Sequence, residues 1–228
     1  MSNREVTIIG LGHRKCQGKT WCAEKLRDVL TRNREEVYIH SFAEPIKRIC
    51  WSMFRRYNHT EQGSPYHSDG DALLFDYAYE EHPEWKEQII PQFEMSPREI
   101  WNGVGRAMRE IYPAIWIEYM MDITIGPRNQ GIFIIPDLRL PEEMSAIHDA
   151  GGTCIKVVRT PTVDSPFDAQ TDIADEPLSN VDQAFTVGTM ADGLWWDEVW
   201  TAPDGKLDVL AGFVSKFADA TLKSLTGN

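Results

Sequence analysis

The sequence predicts an α/β fold, a mainly parallel sheet with helices on both faces, and three stretches carry that prediction. Val6, Thr7, Ile8 and Ile9 are an apolar, β-branched run that breaks into glycines and leads to an amphipathic helical pattern. Residues 131 to 139, GIFIIPDLR, form the continuous apolar run expected of a strand buried on both faces. Residues 153 to 159, TCIKVVR, repeat that character after an intervening helical stretch. Strands that alternate with helices along a chain close into a parallel sheet.

Taken in order, the first strand enters a loop with Gly10, Gly12 and Gly18, closing on Gly18-Lys19-Thr20, and a helix follows over about 19 to 32. Residues 36 to 42 (EVYIHSF) read as a second strand. Pro45 falls in the first turn of the next helix, where its missing N–H costs nothing. That helix places Ile46, Ile49, Met53 and Tyr57 on one face. Residues 58 to 95 are turn-rich, then acidic and aromatic, and read as an inserted flap or a surface excursion. Ser96, Pro97 and Glu99 spell a capping box for a helix over 97 to 110, and Pro113 starts another. Pro136 marks the end of the 131–139 strand. A helix over 141 to 152 ends at Gly151-Gly152. Residues 160 to 183 form an acidic, lid-like loop, 184 to 189 a fifth strand, and 194 to 202 a candidate sixth. Asp204 is placed to cap a final helix with an apolar face of Val209, Leu210, Phe213, Phe217 and Leu222.

Composition narrows the function classes. The 228 residues suit a single domain, 1–228, carrying the flap and the lid-like loop. With 23 basic against 35 acidic residues the net charge is −12, which disfavours a broad nucleic-acid surface without excluding a DNA acceptor. Cys16, Cys22, Cys50 and Cys154 show neither CxxC spacing nor paired histidines, so the expectation is free thiols, no zinc and no disulfide. No run reaches membrane-spanning length and the N-terminus lacks a signal-peptide core, so a cytoplasmic protein is expected. The LWWDEVW stretch serves either a homodimer contact or the end of the core.

Strand, glycine loop and helix opening with Gly-Lys-Thr is a way to hold a polyphosphate, because backbone N–H groups and the helix dipole favour an anion there. Lysine adds a point charge and threonine a hydroxyl for magnesium. The spacing departs from the usual pattern: His13 stands where the first glycine belongs, and Gly12 comes one residue early. The plainer reading is a tight strand-to-helix turn whose glycine supplies positive φ alone. Arg98 and Arg106 recur at near-helical spacing and either converge on one anion or are solvated surface charges. Asp137 and Arg139 close a strand at the carboxyl edge, where open α/β sheets bind ligands.

Five stretches in order then carry a resemblance: Gly18-Lys19-Thr20; Phe42-Ala43-Glu44-Pro45-Ile46-Lys47; Ser96-Pro97-Arg98-Glu99 with Gly105-Arg106; Pro113-Ala114-Ile115-Trp116; and Asp137-Leu138-Arg139. Over about residues 5 to 159 the chain resembles the phage-type deoxynucleoside monophosphate kinases, P-loop kinases related in fold to adenylate and thymidylate kinases. It departs from them in the loop glycine, in Asp175-Glu176 lacking the family's nearby histidine, and in the 58–95 insertion.

The resemblance implies a three-layer P-loop kinase fold with a five-stranded sheet, using ATP and Mg2+ on a nucleoside monophosphate. It implies that Gly12, His13, Gly18, Lys19, Thr20 and Arg159 hold ATP, and that Thr20 and Asp137 hold magnesium. Phe42, Lys47, Arg98, Arg106, Trp116 and Arg139 fall to the acceptor, with Lys19, Asp137 and Arg139 acting in transfer. Phe42 and Trp116 are equally read as core aromatics. A monophosphate, with a second pKa of about 6, attacks without a general base. A hydroxyl on a modified base, sugar or DNA would want a carboxylate such as Glu44 or Asp137. A non-catalytic ATP-binding switch is the reading of another class. If the chain is phage-encoded, the compartment is the host cytoplasm.

Overall fold

The computed structural model describes residues 6–12, 17–33, 35–54, 87, 89–90, 93–126, 130–160 and 196–226, with the side chains of 51–54 left aside. The expected flap, the lid-like loop, the 184–189 strand and His13 lie largely or wholly outside those residues. Two compact units divide the chain: Met1–Ser41 with Ile117–Asn228, and Phe42–Trp116.

The first unit is built on a five-stranded, all-parallel sheet in the order β2-β3-β1-β4-β5. Its strands are β1 (Val6–Gly12), β2 (Val37–Ile39), β3 (Gly131–Leu138), β4 (Thr153–Thr160) and β5 (Glu198–Pro203). Helices α1 (Lys19–Arg32), α5 (Pro141–Asp149) and α6 (Leu207–Thr226) accompany them. Side chains alternate between the two faces of each strand. Ile9 and Leu11 of β1, Ile132 and Ile134 of β3, and Ile155 and Val157 of β4 share one face. There they make a single core with Leu26 and Leu30 of α1, Trp200 of β5, and Leu210 and Val214 of α6. The opposite face meets α5: a Cβ added at Gly10 would stand 2.7 Å from Ile147. The first β-branched run therefore becomes the central strand because both its faces can be buried.

The strand expected over 194 to 202 is present as Glu198–Pro203, the fifth described strand, and pairs parallel to β4. Two other expectations are corrected. Pro136 does not end β3, which runs on to Leu138. Gly10 pairs with Ile135 and Gly12 with Leu138, so β3 spends one residue more than β1 over that interval. A proline fits inside a strand at such a bulge, where a ladder N–H is not needed. Asp204 does not cap α6, which begins at Leu207; it sits in the preceding turn and pairs with Arg159.

The second unit contains α2 (Glu44–Phe54) and α3 (Pro97–Ile111). Helix α4 (Ile115–Ile125) leads from this unit back into the first. The capping box of α3 forms as expected: Glu99 N donates to Ser96 Oγ at 3.3 Å and Ser96 N donates to Glu99 Oε2 at 2.7 Å. The Ser96 N–H, and after it the Ser96 hydroxyl at 2.9 Å, donate to the Glu99 carboxyl and hold it below its ordinary pKa. Ile46, Cys50, Ile90, Ile100 and Trp116 form the core. On α2 the buried stripe is Ile46 and Cys50, four residues apart, whereas Ile49 is 43% exposed. The expected Ile46–Ile49 face is thus rotated toward Cys50, a small thiol that behaves as an apolar residue. Among the described residues no helix is long and apolar enough to cross a membrane.

Candidate functional site

Where the direction of strand addition reverses, an open parallel sheet leaves a crevice beyond its carboxyl ends. Here the chain leaves β1 for β2 on one side and leaves β3 for β4 on the other, so the reversal falls at β1 and β3. Because all five strands are parallel, the end of β1 and the Asp137–Arg139 end of β3 belong to one edge, as the sequence implied, and Arg159 near the end of β4 belongs to it too.

Gly18 ends the loop with φ 89° and ψ 13°, a left-handed conformation that favours glycine. It turns the chain so that Lys19 and Thr20 open α1. Gly18 offers no side chain to the first-turn N–H groups, and that turn has no acidic residue to compete for the dipole. Lys19 is buried, at 8% exposure, while Thr20 is exposed. Gly12 has a packing reason of its own. A Cβ there would lie 2.3 Å from the Trp196 indole, so the end of β1 stays glycine to admit that ring.

The bulge in β3 lies beside Asp137. A bulge re-aims the side chains of its strand, and Asp137 Oδ2 accepts from Ser41 Oγ at 2.5 Å. Arg139 follows directly, its N–H donating to Glu143 Oε2 at 2.8 Å, and Leu140 N donates to the same oxygen at 3.0 Å. Glu143 stands at the third position of α5 and is buried. Burial first, and the Asp137 charge second, push its carboxyl up to about 8, against the pull of those two N–H bonds. Glu143 thus pins the turn that carries Asp137 and Arg139 and is neutral at pH 7. The sequence reading passed over it, although an acid three residues into a proline-led helix is the signal that finds it.

Arg159 lies near the end of β4, its guanidinium ion-paired with Asp204 and its backbone N donating to the Gln17 side-chain oxygen. Gln17 is buried and lies next to Gly18, so this bond ties the loop's exit to the end of β4.

In the second unit, Trp116 is buried in the apolar core and donates from Nε1 to Gly105 O at 3.1 Å. Phe42 is likewise buried, at 3% exposure. Both occupy the setting of core aromatics. Lys47 lies over the Trp101 ring, with Nζ 5.8 Å from its centroid. The two arginines are not brought onto one anion. Arg98 pairs with Glu87 at 2.6 Å, whereas Arg106 is 78% exposed, 3.9 Å from Glu110. Eight residues on an α-helix leave about 80° between two side chains, enough to divide their surroundings.

The first unit therefore offers a left-handed glycine, a buried lysine at a helix start, a threonine hydroxyl and a bulge-borne carboxylate at one sheet edge. Hydroxyl and carboxylate oxygens suit a hard cation such as magnesium, and the helix start suits a phosphate. No protein-family model matches the chain, and no curated protein matches it.

Proposed function

We propose that the protein transfers the terminal phosphoryl group of ATP to a (deoxy)nucleoside monophosphate, within a P-loop kinase fold. The observation that carries this reading is the Gly18-Lys19-Thr20 turn opening α1 at the strand-order reversal, with Asp137 at the end of the adjacent strand.

In this reading the start of α1 and Lys19 bind the donor's outer phosphates, and Thr20 and Asp137 hold magnesium. The ion, when bound, neutralises charge on the phosphate oxygens. Phosphoryl transfer proceeds through a loose transition state, so positioning and positive charge supply most of the catalysis. Ser41, which donates to Asp137, orients that carboxylate. Glu143 holds the turn from which Arg139 reaches the transferred group. Phe42, Lys47, Arg98, Arg106 and Trp116 are assigned to the acceptor by resemblance.

ADP release is the decisive measurement, made with ATP, magnesium and a panel of nucleoside monophosphates, hydroxymethylated nucleotides and oligonucleotides. Stimulation by a free monophosphate is the expected result. Stimulation only by a hydroxyl acceptor would move the reading to a hydroxyl kinase. ATP binding with no acceptor-dependent release would leave a nucleotide-binding switch and overturn the proposal.

A further inference from the structure

Three side chains outside the site just described converge near the other end of β4. His148 lies in the last turn of α5, Cys154 is the second residue of β4, and Asp197 immediately precedes β5. Their donor atoms all lie within 4.8 Å of one another. His148 Nε2 is 3.1 Å from Asp197 Oδ2, and Cys154 N donates to that same oxygen at 2.7 Å. We propose that His148, Cys154 and Asp197 bind a zinc-like divalent transition-metal ion that pins the end of α5 to the starts of β4 and β5.

The donor set is the first argument. A thiolate, an imidazole and a carboxylate are a combination typical of zinc and foreign to magnesium, which takes oxygen. Geometry is the second. Ordinary zinc bonds run about 2.0–2.1 Å to nitrogen, 2.0–2.2 Å to oxygen and 2.3 Å to sulfur. The 3.1 Å nitrogen–oxygen separation accepts an ion with both bonds at their usual lengths. From 4.8 Å at the widest, the sulfur closes by about 1 Å to reach tetrahedral spacing. Orientation is the third. The Cys154 N–H fixes the carboxylate, as the outer-shell partners of metal ligands do.

Cys154 is fully buried, a setting in which a structural thiol is inert as a nucleophile. Its S–H proton leaves to solvent as the S–metal bond forms. The proton through which His148 Nε2 meets Asp197 Oδ2 in the metal-free chain sits on Nδ1 once Nε2 takes the metal, so one proton is released per ion.

The test uses the full chain, stripped of metal with a chelator and held without nucleotide or magnesium. It is titrated with Co2+ as a spectroscopic probe and then with Zn2+. One equivalent of Co2+ is expected to raise a thiolate-to-cobalt charge-transfer band, which one equivalent of Zn2+ bleaches. Cys154→Ala is expected to abolish the band, and Asp197→Asn to weaken affinity by more than the roughly 10- to 100-fold that loss of an outer-shell partner costs. Cys22→Ala and Cys50→Ala are expected to leave it intact. Circular dichroism on each variant separates loss of the site from loss of the fold. A folded wild-type chain that shows no charge-transfer band, or a band that survives Cys154→Ala, reduces the cluster to a histidine–aspartate hydrogen bond and overturns the proposal. Neither readout depends on phosphoryl transfer, so failure of one reading leaves the other standing.

Discussion

Lys19 and Glu143 show how differently two buried ionisable residues serve one sheet edge. Lys19 is 8% exposed at the first position of α1, beside the N–H groups of the helix's first turn. On the proposed function, Lys19→Met is expected to lower turnover about 100- to 1000-fold, as removal of one charge-stabilising donor does. ADP release at saturating donor measures it. An unchanged rate in a folded variant would remove Lys19 from the chemistry. Glu143 carries a prediction about stability instead. Its carboxyl titrates near 8 in the folded chain against about 4.5 when unfolded. Below 4.5 both states hold the proton and the group favours neither. Between 4.5 and 8 only the folded state holds it, so stability falls as pH rises, and above 8 it levels off. Each tenfold change in proton affinity is worth about 1.4 kcal/mol. Glu143→Gln keeps an acceptor for the Arg139 and Leu140 N–H groups and has no proton to lose. Urea unfolding at a series of pH values from 5 to 9 is expected to show a flatter profile for this variant than for wild type. Matching slopes would disprove the assignment.

Elements announced themselves where local chemistry decides them. The Ser96/Glu99 capping box was legible because its residues and spacing are its mechanism, and both hydrogen bonds are formed. The strand over 131–138 was legible because Ile132, Phe133, Ile134 and Ile135 are consecutive apolar residues, which only an element buried on both faces accommodates, and all four are buried. Failures came where a distant partner decided. Pro136 looks like a strand end in isolation, and only pairing with β1 reveals the bulge that accommodates it. Asp204 has the right chemistry for a helix cap, but Arg159, 45 residues away in sequence, takes it. The His148, Cys154 and Asp197 group lacks any motif spacing because three elements contribute one residue each. The cap gives a prediction at this scale. Ser96→Ala is expected to cost about 1 kcal/mol, the usual loss for an N-cap serine, while Ser96→Asp retains most of it. Chemical denaturation of the two variants measures the difference. Equal losses would show that the serine acts by packing.

At the scale of the molecule, strand order was the part least legible. Apolar runs say which segments are buried and not which neighbours they choose, so nothing in residues 6 to 12 places them between β3 and β4. That central position makes the first unit a long-range construction. Its core joins Ile9 and Leu11, near one end of the chain, to Leu210, Val214 and Ala218, near the other. Such non-local pairing makes each remote piece necessary before the whole is stable. Helix α6 covers the face built from Ile9, Ile155, Val157 and Trp200, with Phe213 stacked on Trp200 at 6.3 Å and Phe217 edge-on at 5.6 Å. Leu210→Ala, at 1% exposure, is expected to cost about 2–5 kcal/mol. Ending the chain at Lys206 removes α6 and leaves α1 alone to cover that face, with Trp200 and its neighbours open to water. The truncated protein is expected to lose its cooperative thermal transition and to bind a hydrophobic dye, while Leu210→Ala keeps a cooperative transition at lower temperature. Calorimetry on the three proteins decides the matter. A truncated chain that unfolds cooperatively at the wild-type midpoint would mean that the sheet holds together without α6, and the continuity of this core would have to be abandoned.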